Sequence, residues 1–172
     1  MRLFLSNPIA MMFLSFLAGV IADSLLRRTA AYDWLSSRYL FTNAKAYESL
    51  GVLWFRRFLL ATPLRLFNPN IRFTKKTDLE SLKKVREHIA SAEVGHWVGM
   101  VVMLGLMLVA WWLYGAKVGV GYLVLNILGN LYPCLLQQYN KRRLEPVIAA
   151  FEKREASPRA TSPAVQSDST VN

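Results

Sequence analysis

Two groups of residues in this chain have the types and spacing that chemistry requires. Glu93 and His96 stand three positions apart in Glu93-Val94-Gly95-His96-Trp97, a stretch that reads as helix. Residues three apart share a helix face, so the carboxylate can orient the imidazole or raise its basicity, which is half of a general-base couple. The plainer alternative is an interfacial ion or hydrogen-bond pair, with Trp97 as a membrane-belt residue. Glu-x-x-His also occurs in di-iron carboxylate bundles, but those need a second such pair. This chain has two histidines, and the other, His88, lies in a charged stretch that reads as solvated surface. No metal site is predicted.

The second group is Asn126, Asn130, Pro133 or Cys134, and Gln137, which recur every three or four residues and line one helix stripe. Amides at membrane depth face protein rather than lipid, and bonding between helices is their ordinary use. Directly after them, Tyr139-Asn140-Lys141-Arg142-Arg143 brings donors and fixed positive charge to the mouth of the same helix. Arginine there suits a phosphate, and it equally suits topology marking. Pro133 removes one helical hydrogen bond and frees a carbonyl near residue 129, the mark of a kink or a site.

These groups need a membrane frame to hold them. Hydrophobic residues make up 53% of the 172 residues and charged residues 19%, with the apolar ones in long uninterrupted runs. The fold class expected is an all-α integral membrane protein with about three transmembrane helices plus an interfacial amphipathic helical segment. Residues 1–26 hold the first span: Leu3 to Ala22 carries no charge, and Ser6, Asn7 and Pro8 can cap and start a helix running to Leu26. A cleaved signal peptide is the rival, opposed by Arg27 and Arg28 following the apolar run rather than preceding it. Residues 27–76 form a basic, aromatic segment, interfacial or packed as a cap on the bundle. Its Trp54, Phe55 and Phe58 alternate with Arg56 and Arg57 in a stretch too charged to span.

Residues 77–155 read as a helical hairpin. Thr77-Asp78-Leu79-Glu80 has the form of a capping box. From there one helix runs without a proline, half wet and half buried, to Tyr114; Gly115-Ala116-Lys117 is the turn, and the two spans cover about 94–114 and 118–138. Trp111, Trp112 and Tyr114 mark one interface. Residues 156–172, rich in Ser, Thr, Pro and Ala, lack the surface to fold and are expected to be disordered. The net charge is +10, and 13 of the 21 basic residues lie between Asp23 and Gly95 among aromatics. That mixture suits an anionic lipid surface and no nucleic acid is expected as partner. The positive-inside rule puts the N-terminus and the 115–117 turn outside, and the basic regions in the cytoplasm. The lone Cys134 leaves no internal disulfide.

Taken together, Glu93-Val94-Gly95-His96-Trp97, Asn130-Leu131-Tyr132-Pro133 and Gln137-Gln138-Tyr139-Asn140-Lys141-Arg142-Arg143-Leu144, in this order and distance, resemble glycosyl-4,4'-diaponeurosporenoate acyltransferase and its relatives. The likeness covers roughly Tyr47 to Ile148, and departs from the family pattern at Gln138, usually basic, and Arg142, often proline. Such enzymes are small bacterial membrane proteins that esterify the sugar of a C30 carotenoid glucoside, the closing step of staphyloxanthin synthesis. The resemblance implies a bacterial inner (plasma) membrane protein that binds no cofactor and uses acyl-CoA or an acyl carrier as co-substrate. Its partners would be membrane lipids and a lipid-soluble glycosylated acceptor. It makes His96 the base and Glu93 its orienter, with Asn130, Gln137 or Asn140 as oxyanion donors, Arg143 on the donor's phosphates, and Trp97 and Tyr139 among the substrate contacts. A non-catalytic membrane subunit or assembly factor is the competing reading, and a metal enzyme a third.

Overall fold

A computed structural model describes residues 5–63 and 78–156 of the chain, and every regular element among them is a helix. Helix α1 spans Pro8–Leu26. Its start is the one the residues dictate: the Asn7 side chain accepts from the Ile9 and Ala10 amides at 3.0 and 3.2 Å, and Pro8 occupies a position whose N–H would have no helical partner. Three short helices follow, α2 (Ala30–Ser37), α3 (Ala44–Ser49) and α4 (Val52–Ala61). Gly51, at φ 78°, makes the turn into α4 that a side chain would resist.

Helix α5 runs from Leu79 to Tyr114, 36 residues, a length of ~54 Å against a hydrocarbon core of ~30 Å. One end of it must therefore stand outside the bilayer. Its cap is Asp78, which accepts from the Ser81 amide at 3.0 Å. The helix thus begins one residue later than a Thr77 cap would have it, and Thr77 itself lies outside the described residues. A side chain at Asp78 satisfies the first-turn donors equally well. The connection to the next span is Gly115 alone, at φ 83°, since α6 (Ala116–Asn126) already includes Ala116 and Lys117. A five-residue π turn, Ile127–Leu131, joins α6 to α7 (Tyr132–Ala156). Among the described residues three helices are long and apolar enough to cross a membrane: Pro8–Leu26, Leu79–Tyr114 and the continuous Ala116–Ala156. The chain is an all-α membrane protein. The tail assigned above to disorder lies outside the described residues from 157 onward.

Helices α1 and α5 run antiparallel along a seam of small residues. Ser15 faces Gly99, Gly19 faces Gly95, and Asp23 faces Ser91, whose hydroxyl donates to the carboxylate at 2.8 Å. A methyl group at Gly19 would run into the Gly95 carbonyl; small residues at this spacing let backbones touch where no hydrophobic effect draws helices together. Arg27 closes the seam by pairing with Asp23 and donating to Ser91. Toward the Gly115 turn, Met11, Met103, Ala110 and Tyr122 fill the core, and Trp111 and Trp112 stay exposed at the rim.

At the opposite, basic end, α5 and α7 pack together through Leu82, Ile89, Leu144 and Ile148. Helices α3 and α4 fold onto α7 through Tyr47, Val52 and Phe55, which bury against Leu135, Leu136 and Tyr139. The described part of the basic segment, α2 to α4, is thus a collar on the bundle. It still turns Trp54 and Phe58 outward as a stacked pair, centroids 6.1 Å apart, as an interfacial segment would.

Candidate active site

Two polar networks occupy the interior between α5 and the α6 to α7 helix, one above the other. The lower one is built on Glu93, which is fully buried. Its carboxylate accepts from the Lys141 ammonium at 2.6 Å and from the Gln138 amide at 2.7 Å, with the Trp97 side chain beside it. Lys141 and Gln138 between them satisfy both oxygens. The expected pairing of Glu93 with His96 is therefore not what forms: the two share a helix, but Lys141 and Gln138 approach from α7 and take the carboxylate. A buried carboxylate needs a countercharge, and an ammonium supplies more than a neutral imidazole can.

Lys141 is itself buried, and its remaining donors go to the Ser36 carbonyl at 2.6 Å and the Arg38 carbonyl at 3.5 Å. Gln138 accepts from the Leu40 amide at 3.0 Å and the Tyr47 hydroxyl at 2.8 Å, while Arg142 donates to the Phe41 carbonyl at 3.0 Å. The non-helical strap between α2 and α3 is thus held by α7 side chains, which pair backbone groups that a helix or water would otherwise have to satisfy. Sequence reasoning missed Lys141 and Gln138. The signal was their i, i+3 spacing in register with the amide stripe, hidden by reading Lys141-Arg142-Arg143 as one exposed basic run.

The upper network holds His96. Pro133 has no N–H for the carbonyl of Gly129, and the helix answers with the π turn Ile127–Leu131. His96, projecting from α5, stands beside that Gly129 carbonyl and the Asn130 side chain. The ring of Phe16 on α1 meets the imidazole edge to face, centroids 6.0 Å apart. Asn126 donates to the Met100 carbonyl at 3.1 Å across the helix pair, and Asn130 donates to the Asn126 oxygen at 2.9 Å. The Asn130 side-chain NH2 is therefore occupied, and its free group is an oxygen, Oδ1, which is buried with no hydrogen bond. That geometry does not suit the oxyanion-donor role expected of Asn130. Gly99 makes room for this amide: a methyl there would sit 2.6 Å from Oδ1.

The remaining expected site residues are dispersed around α7. Gln137 is buried and Asn140 half-buried. Tyr139 is buried and its hydroxyl donates to Glu48 at 3.0 Å. Arg143 is exposed, its guanidinium 5.6 Å from the Tyr139 ring centre. Of the basic triplet, Arg143 alone is exposed; Lys141 and Arg142 both lie against the Tyr39 ring, 4.4 and 4.3 Å from its centre. Burial, with Glu145 nearby, pushes the Tyr39 phenol far above its ordinary range, so it stays neutral. Among the described residues no three His, Cys, Asp or Glu side chains converge as a metal site would need.

A family model described as glycosyl-4,4'-diaponeurosporenoate acyltransferase matches residues 30–150, which carry the collar and both polar networks and leave α1 outside. No curated protein and no solved structure matches the chain.

Proposed function

The chain belongs to the glycosyl-4,4'-diaponeurosporenoate acyltransferase family, and from that membership we propose that it is a membrane acyltransferase that esterifies a glycosylated isoprenoid or carotenoid, or a related glycolipid, with a fatty acyl chain. The observation that carries the reading onto residues is His96, a partly accessible imidazole on an apolar helix long enough to span, backed by the Gly129 carbonyl and the Asn130 side chain. Polar groups so placed are costly and are kept for function.

In the proposed reaction His96 takes the proton of a sugar hydroxyl as its oxygen attacks the carbonyl carbon of an acyl thioester. The carbon–sulfur bond then breaks, and the imidazolium returns the proton to the departing thiolate. The thioester is acyl-CoA or an acyl carrier, with exposed Arg143 suited to its phosphate. Gln137 and Asn140 remain as donors for the oxyanion. Trp97 and Tyr139, fixed by Glu93 and Glu48, shape the walls, and Glu93 acts through Lys141 and Gln138 on the strap. The membrane is the bacterial plasma membrane, with the N-terminus outside and the basic end and C-terminus in the cytoplasm.

A non-catalytic membrane subunit is the second reading, favoured by the Asn126 bond to the Met100 carbonyl, which is an ordinary interhelical clasp. Purified protein in lipid nanodiscs, given a glucosylated C30 carotenoid acid and a long-chain acyl-CoA, separates the two. Ester formation by wild type and its loss in a folded His96→Ala variant support the enzyme. A folded wild type that makes no ester from acyl-CoA or an acyl carrier protein supports the subunit.

A further inference from the structure

We infer that Asn130, backed by Asn126, is the positioning residue for His96, the part that Glu93 was expected to play; the functional sense of this rests on the proposed acyl transfer. The argument begins at a backbone carbonyl. Met100 O only accepts, so Asn126 must turn its NH2 toward it, which leaves the Asn126 oxygen for Asn130. Asn130 must then give its own NH2 to Asn126. Neither amide can be flipped without placing two acceptors or two donors against each other, so the polarity of the chain is fixed from its far end.

What emerges at the near end is an oxygen. Asn130 Oδ1 is buried without a hydrogen bond, and buried polar atoms without partners are rare enough to call for a reason. Beside it is His96, which also meets the Gly129 carbonyl that Pro133 leaves free. Both groups on this side of the imidazole are acceptors. An N–H is therefore required of the ring nitrogen that faces them, and the other nitrogen keeps its lone pair for a substrate proton. Which nitrogen of a histidine carries the proton is set by the bond the other makes, and in hydrolases and proteases a third group, sometimes an asparagine, does this orienting. The charged candidate is out of play: Glu93, one turn away on the same helix, is closed by Lys141, Gln138 and Trp97. Helix α1 presents the Phe16 ring.

The test reads the ring directly. With two histidines in the chain, 15N-histidine NMR of the protein in nanodiscs gives one signal set for exposed His88 and one for His96. Wild-type His96 is expected in a single neutral tautomer. Asn130→Leu and Asn126→Leu are expected to let the other tautomer in, changing the ratio about tenfold, the equilibrium worth of one net hydrogen bond. In the acyl-transfer assay the same variants should lower kcat about 10–100-fold with KM for the acyl-CoA unchanged, at or below the lower end of the roughly 10²–10⁴-fold that a positioned base itself contributes. A mixed tautomer in wild type overturns the inference without any variant having to fold, as does an unchanged tautomer in both folded variants. A single tautomer in a wild type that forms no ester would sink the acyltransferase reading and leave the positioning intact.

Discussion

Removing Lys141 should be far more damaging than removing Lys141 and Glu93 together. The ammonium lies in the interior with 0% exposure and meets a carboxylate that is equally buried, at 2.6 Å. Lys141→Met leaves that carboxylate to Gln138 and Trp97 alone, and stranding one member of a buried pair costs about 3–5 kcal/mol. A loss of that size lowers the folded-to-unfolded ratio more than a hundredfold. Lys141→Met with Glu93→Gln removes both charges. What then remains is chiefly the Ser36 carbonyl without its donor, about 1–3 kcal/mol. The double variant should therefore recover 1 kcal/mol or more relative to the simple sum, on the scale of coupling seen between contacting residues. Reversible unfolding in bicelles, followed for wild type, the two single variants and the double, measures this coupling. Additive effects, or a Lys141→Met variant within about 0.5 kcal/mol of wild type, would refute the ion pair as the lock between α5, α7 and the strap.

Other outcomes follow from the same geometry. Gly19→Ala should lose about 1–3 kcal/mol because the new methyl meets the Gly95 backbone, whereas Gly95→Ala, with its nearest neighbour at 3.6 Å, should cost little; membrane accumulation and thermal unfolding compare them. Gln138→Leu removes the acceptor of the Leu40 amide, so hydrogen exchange should show that amide losing protection while the core of α5 keeps it. Pro133→Ala restores an N–H to the Gly129 carbonyl and so competes with His96. Acyl transfer should fall with stability unchanged or improved, and a variant with full activity would dissociate the π turn from the site. Gly99→Ala drives the Asn130 oxygen from its place and should reproduce the Asn130→Leu tautomer change.

The spans were legible because long apolar runs, Asn7-Pro8 at a helix start and the single break at Gly115 are local signals that tertiary contacts do not overrule. The amide stripe was legible for the same reason: Asn126 and Asn130 sit at helical spacing, and the structure joins them. What could not be read was which partner each polar group takes. Glu93 and His96 share a face by spacing, yet the choice was made by α7, 45 and 48 residues further along the chain at Gln138 and Lys141. Likewise Lys141 and Arg142 read as surface charge because nothing local announces that free carbonyls, at Ser36 in the last turn of α2 and at Arg38 and Phe41 in the strap, will be folded against them. The Gly95-x-x-x-Gly99 and Ser15-x-x-x-Gly19 spacing was open to reading, and pairs α1 with α5 in register.

The most direct test of the central claim is the lipid and pigment profile of cells that lack the gene and are then given back wild type, His96→Ala or Asn130→Leu. Accumulation of a non-acylated glycolipid, converted to its fatty ester by wild type, not by His96→Ala and only weakly by Asn130→Leu, is the predicted result. An unchanged profile in the deletion strain, or full conversion by a stably accumulated His96→Ala protein, would contradict the assignment of acyl transfer to this histidine.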